Sequence, residues 1–227
     1  MILRVEGLRH TYPDAARPVL DAESITLSGG EQILLRGVSG SGKTTLFNIL
    51  AGLLRPTAGA IYYDDGSLYN LSEAARDRFR AQHIGYVFQT HHLIPSLTAL
   101  ENVVMPLAFA RATPPGTWRT AARDGLDRVG LADLGGRYPR QLSTGQRLRV
   151  AVARALATRP RVLLADEPTA ALDDEAGVVV MDLLQTTCAA HDAILIVASH
   201  DPALVERFER RADLRAGHLM WAERMLA

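Results

Sequence analysis

Three groups of residues in this chain have types and spacings suited to work on a phosphate. Gly37-Val38-Ser39-Gly40-Ser41-Gly42-Lys43-Thr44 fits G-x-x-x-x-G-K-[ST]. Its glycines let the backbone curl so that successive N–H groups point at one anion, and a helix starting here adds its positive end. Lys43 is expected to reach the β- and γ-phosphates, and the Thr44 hydroxyl to bind Mg²⁺. The expected phosphate-contacting set is Gly37, Ser39, Gly40, Ser41, Gly42, Lys43, Thr44 and Thr45. Lys43 is also the only lysine among 25 basic residues, a compact ammonium where the chain otherwise uses the planar fork of arginine. The second group is Asp166-Glu167, which closes the apolar run Val162–Ala165. Asp166 is expected to hold Mg²⁺ through water, and Glu167 to polarise a water attacking the γ-phosphate. Taken alone, such a pair also reads as a solvated strand end or a helix cap. The third is His200, expected to hydrogen-bond the γ-phosphate and orient the water. The remaining histidines, the pair His91-His92 among them, have no Cys or carboxylate at metal-ligand spacing.

These groups need elements that bring them together. Ile33–Leu35, Val162–Ala165 and Ile194–Ala198 are short apolar runs, the pattern of parallel strands buried on both faces. In open α/β sheets ligands bind beyond the carboxyl ends of the strands, so the polar residues after these runs are expected to share one crevice. One helix is expected from Lys43 to just before Arg55-Pro56. Another covers Asp174 to Ala190, capped by Asp173 or Asp174. Residues 99–159 read as mainly helical, broken at Pro114-Pro115-Gly116 and Gly135-Gly136, and so as a helical subdomain inserted between core strands. The first ~30 residues and Ala60–Tyr63 read as antiparallel β. The fold class expected is α/β.

Composition narrows the function classes. With 227 residues, 48% of them hydrophobic, the chain can bury an ordinary core. Lys+Arg and Asp+Glu balance at 25 each, which gives no general attraction to nucleic acid or acidic lipid. A lone Cys188 in an apolar stretch excludes a disulfide scaffold, suits a reducing cytosol and reads as a small buried hydrophobe. No apolar run approaches the ~18 residues of a membrane span, and MILRVEGLRH lacks a signal-peptide core. The chain is therefore expected to be soluble by itself and to reach a membrane only through a partner. Its end soon after the core is expected to leave no room for a regulatory domain.

Leu142-Ser143-Thr144-Gly145-Gln146 precedes an amphipathic helix whose apolar face is Leu148, Val152, Ala155 and Leu156. Locally, Ser143-x-x-Gln146 is a capping box. The order phosphate loop, Gln89, LSTGQ, VLLADE, AALD, SH is similar to the nucleotide-binding subunit of ABC transporters, over essentially the whole chain. The family's usual signature is LSGGQ. Thr144 departs from it, while Ser143 and Gly145, the residues expected to meet phosphate, are retained.

The resemblance implies a P-loop NTPase (RecA-like) core with an antiparallel β subdomain and an inserted helical subdomain. It implies one ABC ATPase domain over 1–227, with residues 89–159 as the helical part. ATP and Mg²⁺ are the implied cofactors and ATP hydrolysis the implied activity. Tyr12, on the early β segment, matches the aromatic that stacks on adenine, although by itself it is also an ordinary strand tyrosine. Gln89 matches the glutamine that contacts Mg²⁺ or water, and Asp173 the loop that links two subunits. Ser143, Gly145 and Gln146 would bind the γ-phosphate of a second copy, giving a homodimer closed around two ATP. The segments Phe79–Gln89 and Leu93–Val103 are most similar to the branch of lipoprotein-release, macrolide-export and cell-division ATPases. An integral membrane permease subunit at the cytoplasmic face is the implied partner. Leu93, Ile94 and Leu97 either line its dock or pack within the helical subdomain. Three other readings stay open: a regulator of a cell-wall hydrolase complex, a soluble ABC protein acting on DNA or ribosomes, and a nucleotide binder with little hydrolysis. The zero net charge gives no support to the DNA reading.

Overall fold

Strands that read as uniformly apolar are buried on both faces, and those that alternate are buried on one. A computed structural model describes residues 1–111 and 113–221; the last six positions of the expected domain lie outside the described residues. In chain order the elements are β1 (Ile2–His10), β2 (Leu20–Ser28), β3 (Gln32–Arg36), α1 (Lys43–Leu50), β4 (Ala58–Tyr63), β5 (Gly66–Ser67), α2 (Glu73–His83), β6 (Ile84–Val87), α3 (Ala99–Ala110), α4 (Trp118–Arg128), α5 (Thr144–Leu156), β7 (Val162–Asp166), α6 (Asp174–Ala190), β8 (Ile194–Ala198), β9 (Arg210–Arg215) and β10 (His218–Trp221).

The strands form one mixed sheet in the order β5-β4-β1-β2-β10-β9-β3-β8-β7-β6. β9, β3, β8, β7 and β6 are mutually parallel, while β1 pairs antiparallel with both β2 and β4. β10 joins the halves: it is antiparallel to β9 and meets β2 in parallel at His218 and Asp21. Every residue of β7 and β8 is buried. Alternate residues of the central strands feed two cores, one on each face of the sheet. Ile33, Leu35, Leu164 and Ile196 join Phe47, Ile49 and Leu50 of α1 and the inner residues of β1 and β2. Leu34, Leu163, Leu195 and Val197 join Leu126 of α4, Leu148 and Val152 of α5, and Met181 and Leu184 of α6. The fold is α/β, as the apolar strand runs imply, and its mixed sheet fits the P-loop NTPase core that the resemblance implies.

Helix starts follow local chemistry. Thr98 and Glu101 make a reciprocal capping box at α3, as do Ser143 and Gln146 at α5. Of the two capping candidates for α6, Asp173 is the one used: its side chain accepts from the Ala176 N–H at 2.8 Å.

Of the elements not placed by sequence reasoning, four escaped it for a visible cause. α2 buries none of its residues, so it has no apolar stripe to find. β6 is four residues interrupted by Gly85, where a Cβ would fall 2.5 Å from the Ala155 carbonyl oxygen. β9, RRADLR, reads as surface, yet its Ala212 and Leu214 are buried. β10 is short and largely exposed.

Candidate functional site

β3, β8 and β7 are neighbours in the sheet, with Leu35 and Asp166 both in register with Ala198. The loops that follow therefore leave from one edge and enclose a cleft of about 520 Å³. Its lining includes Ser39, Gly40, Ser41, Gly42, Lys43, Thr44, Thr45, Gln89, Asp166, Glu167 and His200, with Val19 and Val38. Gly37, at the start of the loop, is not part of this lining. Gly42 has φ +106, and a Cβ there would lie 2.7 Å from the Val19 carbonyl oxygen, so only glycine fits the turn into α1. Lys43 is buried; its Nζ donates to the carbonyls of Gly37 at 2.5 Å and Val38 at 3.3 Å, and lies 4.0 Å from Glu167 Oε1.

Glu167 is held from both sides. Its Oε2 accepts from Ser199 Oγ at 2.9 Å, and its Oε1 lies 2.8 Å from His200 Nδ1. The backbone is left-handed here, φ +50, and the Glu167 N–H donates to the Ala198 carbonyl at 2.8 Å. A non-glycine residue in that region is strained, and the bonds around it fix the carboxylate toward the cleft. Ser199 was given no role by sequence reasoning. It is 1% exposed, and its hydroxyl donates to Glu167 while accepting from the Asp201 N–H at 3.1 Å. The available signal was a hydroxyl directly between a buried strand and His200.

Asp166 accepts from Thr44 Oγ1 at 2.8 Å. Burial raises its pKa, the Thr44 hydrogen bond opposes this, the Glu167 charge adds to it and Lys43 lowers it. A carboxyl whose folded pKa lies above its unfolded value contributes stability in acid that is lost as pH rises through the folded value. At neutral pH, ionised Asp166 is thus a net cost to the fold. Asp166→Asn is expected to raise the thermal midpoint of the chain at pH 7 while weakening Mg²⁺-dependent nucleotide binding. Differential scanning fluorimetry with and without Mg-ATP checks both signs.

The donor set suits a hard cation. The Thr44 hydroxyl, the Asp166 carboxylate and the Gln89 amide all bring oxygen to one cleft. Magnesium typically takes one or two protein oxygens and completes its shell with water and phosphate. Among the described residues there is no cluster of three or more His, Cys, Asp or Glu that could hold a metal.

Tyr12 lies two residues beyond β1 rather than on it. The strand ends at His10 because the chain turns, with the Ala15 N–H donating to the Tyr12 carbonyl at 3.0 Å. The Tyr12 hydroxyl is 3.1 Å from Thr45 Oγ1. The remaining expected site residues form a separate group that does not line the cleft. Ser143, Gly145 and Gln146 make the first turn of α5, where a Cβ on Gly145 would sit 3.1 Å from Leu172 and 3.3 Å from the Ala171 carbonyl. This packs the LSTGQ turn against the loop that ends at Asp173. The Thr144 hydroxyl accepts from Arg147 at 2.9 Å.

A second, more apolar groove of about 490 Å³ runs between α2, β6, α3 and α5, lined in part by Leu53, Phe88, Met105 and Phe109. Phe109 is 70% exposed. Leu93, for which docking and packing within the helical subdomain both stood open, is half-buried against the core on the helical side of the sheet.

A phosphate loop at the carboxyl edge of a parallel sheet, opposite an acidic strand end, defines a P-loop nucleotide-binding protein. The family model described as ABC transporter matches residues 20–170. The lipoprotein-releasing system ATP-binding protein LolD of Bordetella avium is 42% identical over 220 residues, 96% of this chain and 95% of its own length. LolD 1 of Caulobacter vibrioides is 43% identical, with 95% and 92% covered. The solved dimeric structure of the ATP-binding cassette MJ0796 bound to ADP and Pi has a TM-score of 0.90 and 35% identity, covering 99% of both chains. The chain belongs to the ABC transporter family.

Proposed function

We propose that this chain is the ATP-binding and ATP-hydrolysing subunit of an ABC transporter, working as a homodimer around two ATP to drive a separate integral membrane permease in lipoprotein release. The observation that carries it is the single cleft in which the phosphate loop, Asp166, Glu167 and His200 converge. Near full-length likeness to proteins named for lipoprotein release supports the branch. In this reading one ABC ATPase domain spans the chain, with residues 89–159 as its helical part.

Backbone N–H groups of the loop, the start of α1 and Lys43 bind the β- and γ-phosphates. Mg²⁺ neutralises phosphate charge when bound, and Thr44, Asp166 and Gln89 would hold it. Glu167 polarises the attacking water, and its two hydrogen-bonded oxygens keep it aimed. His200 orients the γ-phosphate and that water, beside the carboxylate. Ser143, Gly145 and Gln146 lie outside the cleft of their own chain. They complete the cleft of a second copy, offering the N-terminal end of α5 to the γ-phosphate, while Asp173 stands at the link between the two copies. Hydrolysis removes the bridging charge and releases the pair.

The chain acts at the cytoplasmic face of the membrane, held there by its partner; among the described residues no helix is long and apolar enough to cross a membrane. The groove beneath Phe109 is where the permease docks, since an exposed apolar patch beside β6, the strand that leads to Gln89, links partner and cleft. Tagged protein captured from its native cells in mild detergent with Mg-ATP should retain a membrane protein with a large extracytoplasmic domain. Phe109→Asp should lose that partner while partner-free ATP turnover stays the same. Capture of only nucleic-acid or ribosomal partners would refute the transport reading.

A further inference from the structure

His10 closes β1 with a side chain that is 5% exposed, and both of its ring nitrogens are buried without a hydrogen-bond partner among the described residues. An apolar residue would fill this position at less cost, because it leaves no polar group unsatisfied. What the imidazole does touch is Tyr12. The ring centroids are 4.6 Å apart and the planes cross at 87°, the edge-on arrangement that aromatic quadrupoles favour. Tyr12 has a second anchor in Thr45, 3.1 Å from its hydroxyl, and is itself 39% exposed. The His10 backbone takes part as well: its carbonyl accepts from the Val19 N–H at 2.9 Å, and Val19 lines the cleft. One residue thus closes the turn that carries Tyr12 and the Val19 wall.

We propose that His10 is a positioning residue for the nucleotide base: its ring holds the Tyr12 ring in place as a preformed stacking surface beside Thr45. The proposal rests on reading the cleft as an ATP site with Tyr12 as the base-stacking residue. A ring already held by two contacts loses little freedom when a purine stacks on it, so less of the stacking energy is spent on ordering. His10 acts through Tyr12 and touches no phosphate. Its contribution is therefore confined to ligands that carry a base.

The test is calorimetric titration of the full chain with Mg-ATP and with Mg-tripolyphosphate, which has the phosphates and no base. His10→Leu is expected to weaken ATP binding roughly threefold to tenfold, the range of an aromatic pair, and to leave tripolyphosphate affinity unchanged. The thermal midpoint should not fall, because a buried unsatisfied imidazole has been removed. His10→Phe restores the edge contact and should restore ATP affinity. In a Tyr12→Ala background His10→Leu should add nothing further, the signature of a shared interaction. If the Phe variant does not fold, the Leu and Tyr12→Ala cycle decides by itself. Unchanged ATP affinity in His10→Leu overturns the proposal, as does equal weakening of both ligands with a lower midpoint. A wild-type chain that binds neither ligand overturns the reading of the cleft, and the proposal falls with it.

Discussion

Glu167→Gln is expected to cut ATP turnover by roughly 10²–10⁴-fold, the usual contribution of a positioned general base, while ATP binding persists. The substitution is nearly isosteric, so the surroundings that aim the side chain are kept. The amide oxygen still accepts from Ser199, as the carboxylate does at 2.9 Å, and the backbone bond to Ala198 is untouched. What disappears is the negative charge and the capacity to take a proton, 4.0 Å from Lys43. Removing a carboxylate beside a bound triphosphate also removes repulsion, so phosphate binding has no reason to weaken. If two copies close around two ATP, a chain that binds without hydrolysing accumulates as the dimer. Phosphate release and light scattering in saturating Mg-ATP read the two effects separately. A variant that stayed monomeric would break the two-chain site, and one that kept hydrolysing would put the base at another residue.

The parts of the fold that positioned phosphate chemistry were legible because their physics is local. A glycine loop needs only its own backbone, and the apolar runs β3, β7 and β8 are buried on both faces, so their pattern survives any tertiary context. The cap at α6 was likewise readable, down to two adjacent aspartates, because an N-cap bond spans three residues. What escaped depends on contacts distant in sequence. β9 is arginine-rich, and its place between β3 and β10 buries Ala212 and Leu214. The support of Glu167 by Ser199 bridges 32 positions and requires β7 and β8 to be adjacent. His10 reads as an unremarkable strand residue until the turn to Val19 places Tyr12 against it. Leu93 shows the same limit from the other side: an apolar residue after Gln89 reads equally as a docking surface or as internal packing, and only tertiary structure shows that it is half-buried against the core on the helical side of the sheet.

The second large effect falls on Lys43. Its ammonium bonds the Gly37 and Val38 carbonyls of its own loop and is buried, and among the described residues no other Lys or Arg lines the cleft to stand in for it. Hydrogen bonds to charged groups contribute about 1.5–3 kcal/mol each, so losing two to the β- and γ-phosphates weakens ATP binding roughly 10²–10⁴-fold. Lys43→Ala should show that loss in calorimetric titration, with tripolyphosphate affected as strongly as ATP. The same titrations give the opposite pattern for His10→Leu, which touches only the base. Lys43→Arg asks whether charge alone suffices. The guanidinium keeps the charge but is larger, planar and unable to converge three donors on one point. In a chain whose basic residues are otherwise all arginine, the two loop carbonyls converge on a single nitrogen, which suits a compact ammonium better than a planar fork. Lys43→Arg is therefore expected to bind ATP at least about tenfold more weakly than the wild type. Wild-type affinity in that variant would show that the site reads charge and not shape, and would take the sole lysine out of the argument for the phosphate loop.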